Sequence, residues 1–391
     1  MPATSTPQPP LPRYGESSLA DLVPSLLTAL DVPGFGNPLG FEPVRRACLL
    51  LADGLGWELL EANRRHAPFL AALADRGAPI SAGFPATTAT SLGSLGTGLP
   101  PSGHGLVGYT LALPGMERAF NCLRWASYGT GGARDLRDQV IPERFQPQPT
   151  AFERAASAGV AVSMIGPSTH HRSGLTRAVF RGADFHEAVS AGDLAAQAVT
   201  RLTASRRTLV YAYHGDLDLT GHVHGPGSLA WRFQLAQVDR LVANMVEQLP
   251  GDALLVVTGD HGMVGLRPSQ LVEVDEEPEL LEGVRILAGE ARARHVHTRR
   301  GAADDVLAAW QARLGDAMWV LTGEQAIADG WFGPNMPDEV RRRVGDVVAA
   351  AFGPVGVVQR AVDPAQPRMR GHHGSLTAAE QLVPCLVATG S

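Results

Sequence analysis

Four short apolar runs, each followed at once by polar residues, constrain the fold of this chain more than any other feature. The runs occupy residues 47–52, 160–165, 209–213 and 254–257. They lack a regular alternation of polar and apolar side chains, which is typical of strands that are buried on both faces of a sheet. Stretches with helical character separate them. This order of elements predicts an α/β protein with a mostly parallel sheet flanked by helices.

The region from 265 to 370 differs in character from the rest of the chain. Strand-like pieces at 284–287 and 318–321 alternate there with helix-like pieces at 303–314 and 338–352. We therefore expect a small α+β cap that is inserted into the main domain, because the last apolar run, 382–387, completes the core. The predicted organisation is a flexible tail at 1–12, a catalytic α/β core at 13–264 and 371–391, and an inserted cap at 265–370.

The composition disfavours several classes of function. Hydrophobic residues make up 45% of the 391 residues and charged residues 18%, so a large core can form. The formal charge of -6 argues against a nucleic-acid polymer or a membrane surface as partner. The chain contains no lysine, so any cationic substrate clamp must be arginine, a backbone amide or a metal ion. The N-terminal segment has no apolar leader, and a cytoplasmic protein is the expectation.

Aspartate and histidine residues follow three of these runs. Asp53 follows the first run, Asp218 and His222 come after the third, and Asp260 and His261 come after the fourth. The carboxyl ends of parallel strands meet at one edge of the sheet, where ligands bind. Aspartate and histidine bind zinc where thiolates are absent, and there are more of them here than one tetrahedral ion needs. The pattern favours a site for two ions, although Asp53 alone or the pair of Asp260 and His261 alone is more simply explained as part of a turn.

A hydroxyl-rich segment at 84–105 leads into a helix of small residues. Its sequence is FPATTATSLGSLGTGLPPSGHG. The free amides at the start of a helix bind phosphate oxygens, and a hydroxyl group near metal ions can act as a nucleophile. On this evidence alone, an ordinary Ser/Thr helix cap is the more common explanation.

Taken together, these segments resemble the alkaline phosphatase superfamily, and they are most similar to its nucleotide pyrophosphatase/phosphodiesterase family. Residues 84–105 match that family's pattern F-P-x-x-T, followed by T-G-x-x-P-x-x-H-G, and residues 218–226 match D-x-x-G-H-x-x-G-P throughout. Residues 258–263 match the strand end S/T-D-H-G-M with one additional glycine. His373 and Gly374 match the family's C-terminal His-Gly pair. The motifs occur in the family's order and reach both ends of the chain.

The resemblance implies a role for each matching residue. Two sets of zinc ligands are implied, one of Asp218, His222 and His373 and the other of Asp53, Asp260 and His261. Thr88 is implied as the nucleophile and as a further metal ligand beside the second ion. His373 is preferred to His372 because a glycine follows it. The implied cofactor is two Zn²⁺ ions, with Mn²⁺ as the alternative.

One position departs from the family's pattern. An asparagine that donates to a phosphoryl oxygen often lies three residues after the nucleophile, and Ser91 stands there in this chain. Its hydroxyl can also donate, but with a shorter reach. Asn121 is a second candidate for this donor. Both Ser91 and Asn121 are therefore expected to bind the substrate.

The implied activity is hydrolysis of phosphodiester or pyrophosphate bonds in small nucleotide-type substrates through a phosphothreonine intermediate. A phosphonoacetate-hydrolase-like enzyme is one alternative, although arginine would have to replace the lysines that grip the carboxylate in that family. A phosphomonoester hydrolase is another, and phosphopentomutase is a minor one. A non-catalytic sensor of phosphate or metal is disfavoured because all seven implied metal-site residues are present. The sequence predicts no oligomeric state.

Overall fold

A computed structural model describes residues 7–390 and contains one large central sheet. Eleven strands of four or more residues occur in that range: β1 (Arg46–Ala52), β2 (Ala78–Ser81), β3 (Ala161–Gly166), β4 (Asp184–Glu187), β5 (Thr208–His214), β6 (Ala253–Thr258), β7 (Val284–Glu290), β8 (Ala293–Thr298), β9 (Met318–Thr322), β10 (Val347–Ala351) and β11 (Leu382–Thr389). Seven of them form the central sheet in the order β2-β11-β6-β1-β5-β3-β4. The five strands from β6 to β4 in that order are parallel, and β11 is antiparallel to both of its neighbours. The predicted mostly parallel sheet is confirmed.

Helices connect these strands and cover the sheet. Within residues 7–390 the α-helices are α1 (Leu19–Ala29), α2 (Trp57–Ala62), α3 (Pro68–Ala74), α4 (Thr88–Thr97), α5 (Pro101–His104), α6 (Pro142–Phe145), α7 (Ala151–Ser157), α8 (Gly174–Val179), α9 (Ala191–Leu202), α10 (Asp216–His224), α11 (Leu229–Glu247), α12 (Ala303–Leu314), α13 (Gly323–Ala328), α14 (Asp338–Arg341) and α15 (Ala378–Gln381). Shorter strands pair at Thr110–Leu111, Phe120–Asn121 and Ala126–Ser127, at Val264–Gly265 with Gly371–His372, and at Leu271–Glu273 with Gly356–Val358. None of the helices in this range is both long and apolar enough to cross a bilayer.

Alternate residues of β1 face two separate hydrophobic cores. Leu49 lies in a buried cluster with Leu22 of α1 and Leu92 of α4. Leu50 points to the other face, where its cluster includes Leu235 of α11. Successive side chains of a strand point to opposite faces, so a strand covered on both faces must be apolar throughout. Burial on both faces therefore explains why the run at residues 47–52 is apolar throughout.

A second sheet of four antiparallel strands, in the order β7-β8-β10-β9, is formed within residues 284–351. The helix that we expected at 338–352 is wrong beyond its first turn: only Asp338–Arg341 is helical, and Val347–Ala351 forms β10. This strand is paired on both edges, to β8 and to β9, and those backbone hydrogen bonds override the helical preference of its alanines. The boundaries of core and cap stay a prediction.

The predicted tail at 1–12 is described only in part, since residues 1–6 lie outside the described residues. Residues 7–12 form neither helix nor strand. The carbonyl oxygen of Pro7 accepts a hydrogen bond of 2.5 Å from Nε1 of Trp319 in the second sheet. The described part of this segment is therefore held against the rest of the molecule.

Candidate active site

The polar residues that follow β1, β5 and β6 meet at one edge of the central sheet, because β1 lies between the other two strands. The backbone amide of Gly54, next to Asp53, donates a 2.9 Å hydrogen bond to Oδ1 of Asp260. Gly54 has φ of +75°, and a Cβ atom there would lie 2.9 Å from the Cα atom of Asp218. Only glycine fits this close approach. The Asp-Gly pair of the sequence thus lets three strand ends come together.

Asp218, His222 and His373 form the first of two groups that could hold a metal ion, with one ligand atom of each residue within 4.8 Å of the others. Nε2 of His222 lies 3.3 Å from Oδ2 of Asp218. Nε2 of His373 lies 3.9 Å from Oδ1 of the same carboxylate. Asp218 and His222 are four residues apart in α10, which places them on one face of the helix. His373 comes from a distant loop beside this face.

Asp53, Asp218 and His261 form the second group within the same distance limit. Nε2 of His261 lies 3.5 Å from Oδ1 of Asp53 and 3.6 Å from Oδ2 of Asp260. The group contains Asp218 where the sequence implied Asp260, which lies immediately beside it. Asp218 is therefore common to both candidate metal sites.

The buried carboxylates of this site are not fully compensated by neighbouring polar or charged groups. Oδ1 of Asp53, Oδ1 of Asp218 and Oδ2 of Asp260 are buried and make no hydrogen bond among the described residues. Buried polar atoms ordinarily have partners, and clustered buried carboxylates repel one another. Divalent cations bound between these oxygens and the histidine nitrogens would satisfy both requirements. The residues thus fit a two-metal centre.

The three histidines are oriented in the same way. Their Nδ1 atoms lie 2.8, 2.9 and 2.9 Å from the carbonyl oxygens of Gly371, Gly262 and Ala86, for His222, His261 and His373 respectively. A carbonyl oxygen accepts, so each Nδ1 must carry the proton and donate. In the neutral form of each ring, Nε2 then carries the lone pair that a metal ligand requires, and this nitrogen faces the carboxylates.

Burial and neighbouring charges shift the ionisation of the site. Burial raises the pKa of Asp53 well above its usual range, and the nearby carboxylates of Asp260 and Asp218 raise it further. Burial opposes ionisation of Asp218 as well, but the charge and hydrogen bond of His222 lower the pKa of this carboxyl overall. Burial alone would lower the pKa of His222, whereas Asp218 raises it to about 9. The clustered carboxylates thus place His222 in a strongly negative environment.

His373 is stacked on His261, with ring centroids 3.5 Å apart and an angle of 13° between the planes. Burial, followed by the neighbouring His261, lowers the pKa of His373 well below its ordinary value. A neutral imidazole is the form that binds metal. The stacked arrangement therefore favours the ligand form of His373.

Thr88 is the first residue of α4, and its Oγ1 lies 3.3 Å from Nε2 of His261. The first amides of a helix have no partner within the helix and attract anions. Thr88 lines a cleft of about 770 Å³ together with Asp53 and Asp218. A phosphate ester in this cleft would reach the hydroxyl, the helix start and the carboxylates at once.

Ser91 and Asn121, which we expected to contact the substrate, are both buried and engaged elsewhere. The Ser91 hydroxyl donates a 2.6 Å hydrogen bond to the backbone carbonyl of Asp260. Oδ1 of Asn121 accepts from the backbone amide of Arg124 at 2.9 Å. Neither residue lines the cleft that contains Thr88. In this structure the Ser91 hydroxyl instead connects helix α4 to the segment after β6 that carries Asp260.

Tyr213 has a role that the sequence did not reveal. Its hydroxyl donates a short hydrogen bond to Oδ2 of Asp53, and its side chain lines the same cleft. Burial, followed by the charge of Asp53, raises the pKa of this phenol well above its ordinary value, so it remains a donor. Tyr213 stands in an apolar run, and nothing in the local sequence separates it from a core aromatic. The pairing of β1 with β5 brings it to Asp53.

Replacement of Tyr213 by phenylalanine is expected to weaken zinc binding by about 10-fold, because groups that orient metal ligands typically contribute 10- to 100-fold to affinity. Competition with a chromophoric chelator measures this change. Tyr211→Phe is the matched control, since the buried hydroxyl of Tyr211 has no hydrogen-bond partner among the described residues. Equal zinc affinities for the two variants would contradict a role for the Tyr213 hydroxyl.

Solved structures with a similar fold agree with this architecture. The murine ectonucleotide pyrophosphatase/phosphodiesterase 5, determined as an inactive threonine-to-alanine variant in complex with AMP, matches 88% of this chain and 88% of its own, with a TM-score of 0.66 and 18% identity. Phosphonoacetate hydrolase from Sinorhizobium meliloti 1021, in complex with phosphonoacetate, matches 89% of this chain and 91% of its own, with a TM-score of 0.64 and 20% identity. These similarities show that the chain shares an α/β fold with both proteins.

A comparison with models of protein families identifies the family of this chain. A family model described as type I phosphodiesterase / nucleotide pyrophosphatase matches residues 47–376. The chain belongs to this family, as its motifs predicted. The phosphopentomutase of Anaeromyxobacter dehalogenans (strain 2CP-C) is 34% identical over 138 residues, which are 34% of this chain and 32% of that protein. Such alignments with curated relatives cover from 5% to 32% of the relatives' own length.

Proposed function

We propose that this chain hydrolyses phosphodiester or pyrophosphate bonds of small nucleotide-type substrates at a two-zinc site, with Thr88 as the nucleophile. The position of Thr88 carries this proposal. Its hydroxyl lies 3.3 Å from Nε2 of His261, at the start of a helix that opens onto the cleft. The AMP complex and the inactive threonine variant of the murine neighbour support the same substrate class and a catalytic threonine.

The proposed ligands of the first zinc ion are Asp218, His222 and His373. Those of the second are Asp53, Asp260 and His261, with Thr88 beside them and with Asp218 within reach. Bound zinc would supply Lewis acidity, which lowers the pKa of a hydroxyl group and neutralises charge on the phosphoryl oxygens. Aspartate and histidine ligands favour zinc, and manganese is the alternative.

The chain's own residues would then act in two steps. Oγ1 of Thr88 attacks phosphorus, the bond from phosphorus to the leaving oxygen breaks, and a phosphothreonine remains. A water molecule would next attack that phosphorus, the bond from phosphorus to Oγ1 would break, and a proton from the water would restore the Thr88 hydroxyl. The free amides at the start of α4 would hold the phosphoryl oxygens during both steps. Two arginines, Arg124 and Arg137, line the cleft, and they would replace the lysines that this chain lacks.

Zinc-loaded protein is expected to release p-nitrophenol from p-nitrophenyl thymidine 5′-monophosphate with kcat/KM about 10-fold or more above that for p-nitrophenyl phosphate, a difference of about 1.4 kcal/mol in the barrier. A chelator should abolish this release and added zinc should restore it. Bis-p-nitrophenyl phosphate tests whether the nucleoside is needed. A preference for the monoester would contradict the proposed diesterase.

The fold shared with phosphonoacetate hydrolase makes cleavage of phosphonoacetate the second candidate activity. Release of phosphate from phosphonoacetate, without turnover of the nucleotide ester, would favour it. Absence of turnover for all phosphate, phosphonate and sulfate esters would favour the non-catalytic sensor. The cytoplasmic location and the exclusion of polymer and membrane partners stay predictions.

A further inference from the structure

The hairpin of β7 and β8 brings one carboxylate from the second sheet to the proposed metal centre. Glu290 is the last residue of β7, and its side chain is 7% exposed. Its Oε2 lies 3.8 Å from Nδ1 of His373, on the opposite side of the imidazole ring from the nitrogen that faces Asp218. A residue of the second sheet thus stands directly behind a proposed zinc ligand.

The contact between this side chain and the loop of His373 is tight. Gly374 has φ of +131°, and a Cβ atom there would lie 2.7 Å from Cγ of Glu290. Any larger residue at 374 would push the carboxylate away from the ring or move the loop. The glycine of the His-Gly pair therefore allows Glu290 to lie against the backbone that carries His373.

The hairpin is anchored so that Glu290 keeps this position. Arg292, two residues further along, forms a buried ion pair of 2.7 Å with Glu380 in α15. The backbone carbonyl of Glu380 in turn accepts a 2.8 Å hydrogen bond from the amide of Gly262, the neighbour of His261. One chain of contacts thus links the hairpin to the loops of two proposed metal ligands.

One oxygen of the Glu290 carboxyl group lacks the partner that burial normally demands. Its Oε1 is buried without a hydrogen-bond partner among the described residues. An uncompensated buried carboxyl group destabilises a protein, and such groups usually have a functional reason. The proposed reaction gives Glu290 no chemical step. A group of positive charge on the far side of the His373 ring would compensate it.

We propose that Glu290 is a positioning residue that acts through His373 and strengthens its Nε2 as a metal ligand. This inference rests on the proposed function only in taking His373 as a ligand. The Nδ1 proton of His373 is donated to the carbonyl oxygen of Ala86, which fixes the ring. The Glu290 carboxylate lies 3.8 Å from the same nitrogen, beyond hydrogen-bond distance, so it would act on the imidazole through its charge and raise the basicity of the ring. The second sheet is then part of the metal centre itself, through Glu290.

Glu290→Gln keeps the size of the side chain and removes its charge, so the variant should fold. We expect it to weaken one of the two zinc-binding events by about 10- to 100-fold in chelator competition. The weakened event should be the one that His373→Ala removes, and the other event should be unchanged. The d–d absorption of Co²⁺ bound at the weakened position should shift. Glu279→Gln, an exposed glutamate of the same region, is the control and should bind zinc like the parent protein.

Zinc binding and a cobalt spectrum identical to those of the parent protein would overturn the inference and leave Glu290 with a packing role. Weakening of the event that survives in His373→Ala would also overturn it, because Glu290 would then not act through His373. Glu290→Ala opens a cavity and serves as the comparison for a packing effect, which lowers thermal stability without selecting one binding event. These binding measurements need no turnover, so they remain valid if the proposed hydrolysis fails.

Discussion

Replacement of Thr88 by alanine is expected to lower hydrolysis of the nucleotide ester by at least about 10⁴-fold, the scale seen when a catalytic nucleophile is removed. The variant lacks the oxygen that would attack phosphorus. Alanine is a good helix residue, and Thr88 only begins α4, so the fold should be kept. Steady-state kinetics with zinc-loaded protein measures the loss, and circular dichroism verifies the fold.

Thr90→Ala is the matched control for this change. Thr90 lies in the same helix, and its buried hydroxyl makes no hydrogen bond among the described residues. Its loss should leave kcat near the parent value. Thr88→Ser should keep part of the activity, since serine retains a hydroxyl at the same position. Turnover by Thr88→Ala at a rate close to that of the parent protein would exclude Thr88 as the nucleophile.

Replacement of Asp218 by asparagine is expected to have the largest effect on metal binding. Asp218 belongs to both groups of candidate ligands, so one change removes a negative charge from both ion positions. Zinc affinity should fall by more than about 100-fold, because groups that merely support ligands already contribute 10- to 100-fold. Isothermal titration calorimetry or chelator competition measures this fall. Activity should be lost in parallel.

Thermal unfolding offers an independent check of the same change. Zinc at 100 times its Kd stabilises a protein by about 2.7 kcal/mol, and this stabilisation should almost vanish in Asp218→Asn. Asp216→Asn is the control, because Asp216 lies in the same helix, is exposed and belongs to neither ligand group. Equal zinc-induced stabilisation in both variants would show that Asp218 is not a shared ligand.

Five of the seven strands of the central sheet could be predicted from the sequence to within two residues at each end, whereas β2 and β4 had no clear signal. Burial on both faces leaves an uninterrupted apolar run, and few other arrangements produce one. The run at 347–351 had no such clear signal. Its valines and alanines suit a helix as well as a strand, and pairing with β8 and β9 decides between them. Local preference is overridden by partners that are distant in sequence.

Candidate ligands such as Asp53 and His261 could be predicted from the sequence, because each follows closely after an apolar run that forms a strand. Contacts between distant segments were not predictable. Tyr213 meets Asp53 only because β5 pairs with β1, and Glu290 meets His373 only because the hairpin of the second sheet folds onto the core. The expected donor role of Ser91 rested on its position three residues after Thr88, the proposed nucleophile, whereas its hydroxyl donates to the carbonyl of Asp260. Sequence gives the residue type at such a position but not the direction of its side chain.

Direct observation of the covalent intermediate tests the proposed threonine nucleophile most sharply. Zinc-loaded protein is mixed with p-nitrophenyl thymidine 5′-monophosphate, quenched in acid within one turnover, digested and analysed by mass spectrometry. Attack by Thr88 expels p-nitrophenol and leaves thymidine 5′-phosphate joined to the threonine oxygen. We predict this adduct on the peptide that contains Thr88, and its absence from Thr88→Ala. A burst of p-nitrophenol with the adduct on another residue, or turnover with no adduct at all, would contradict the threonine nucleophile.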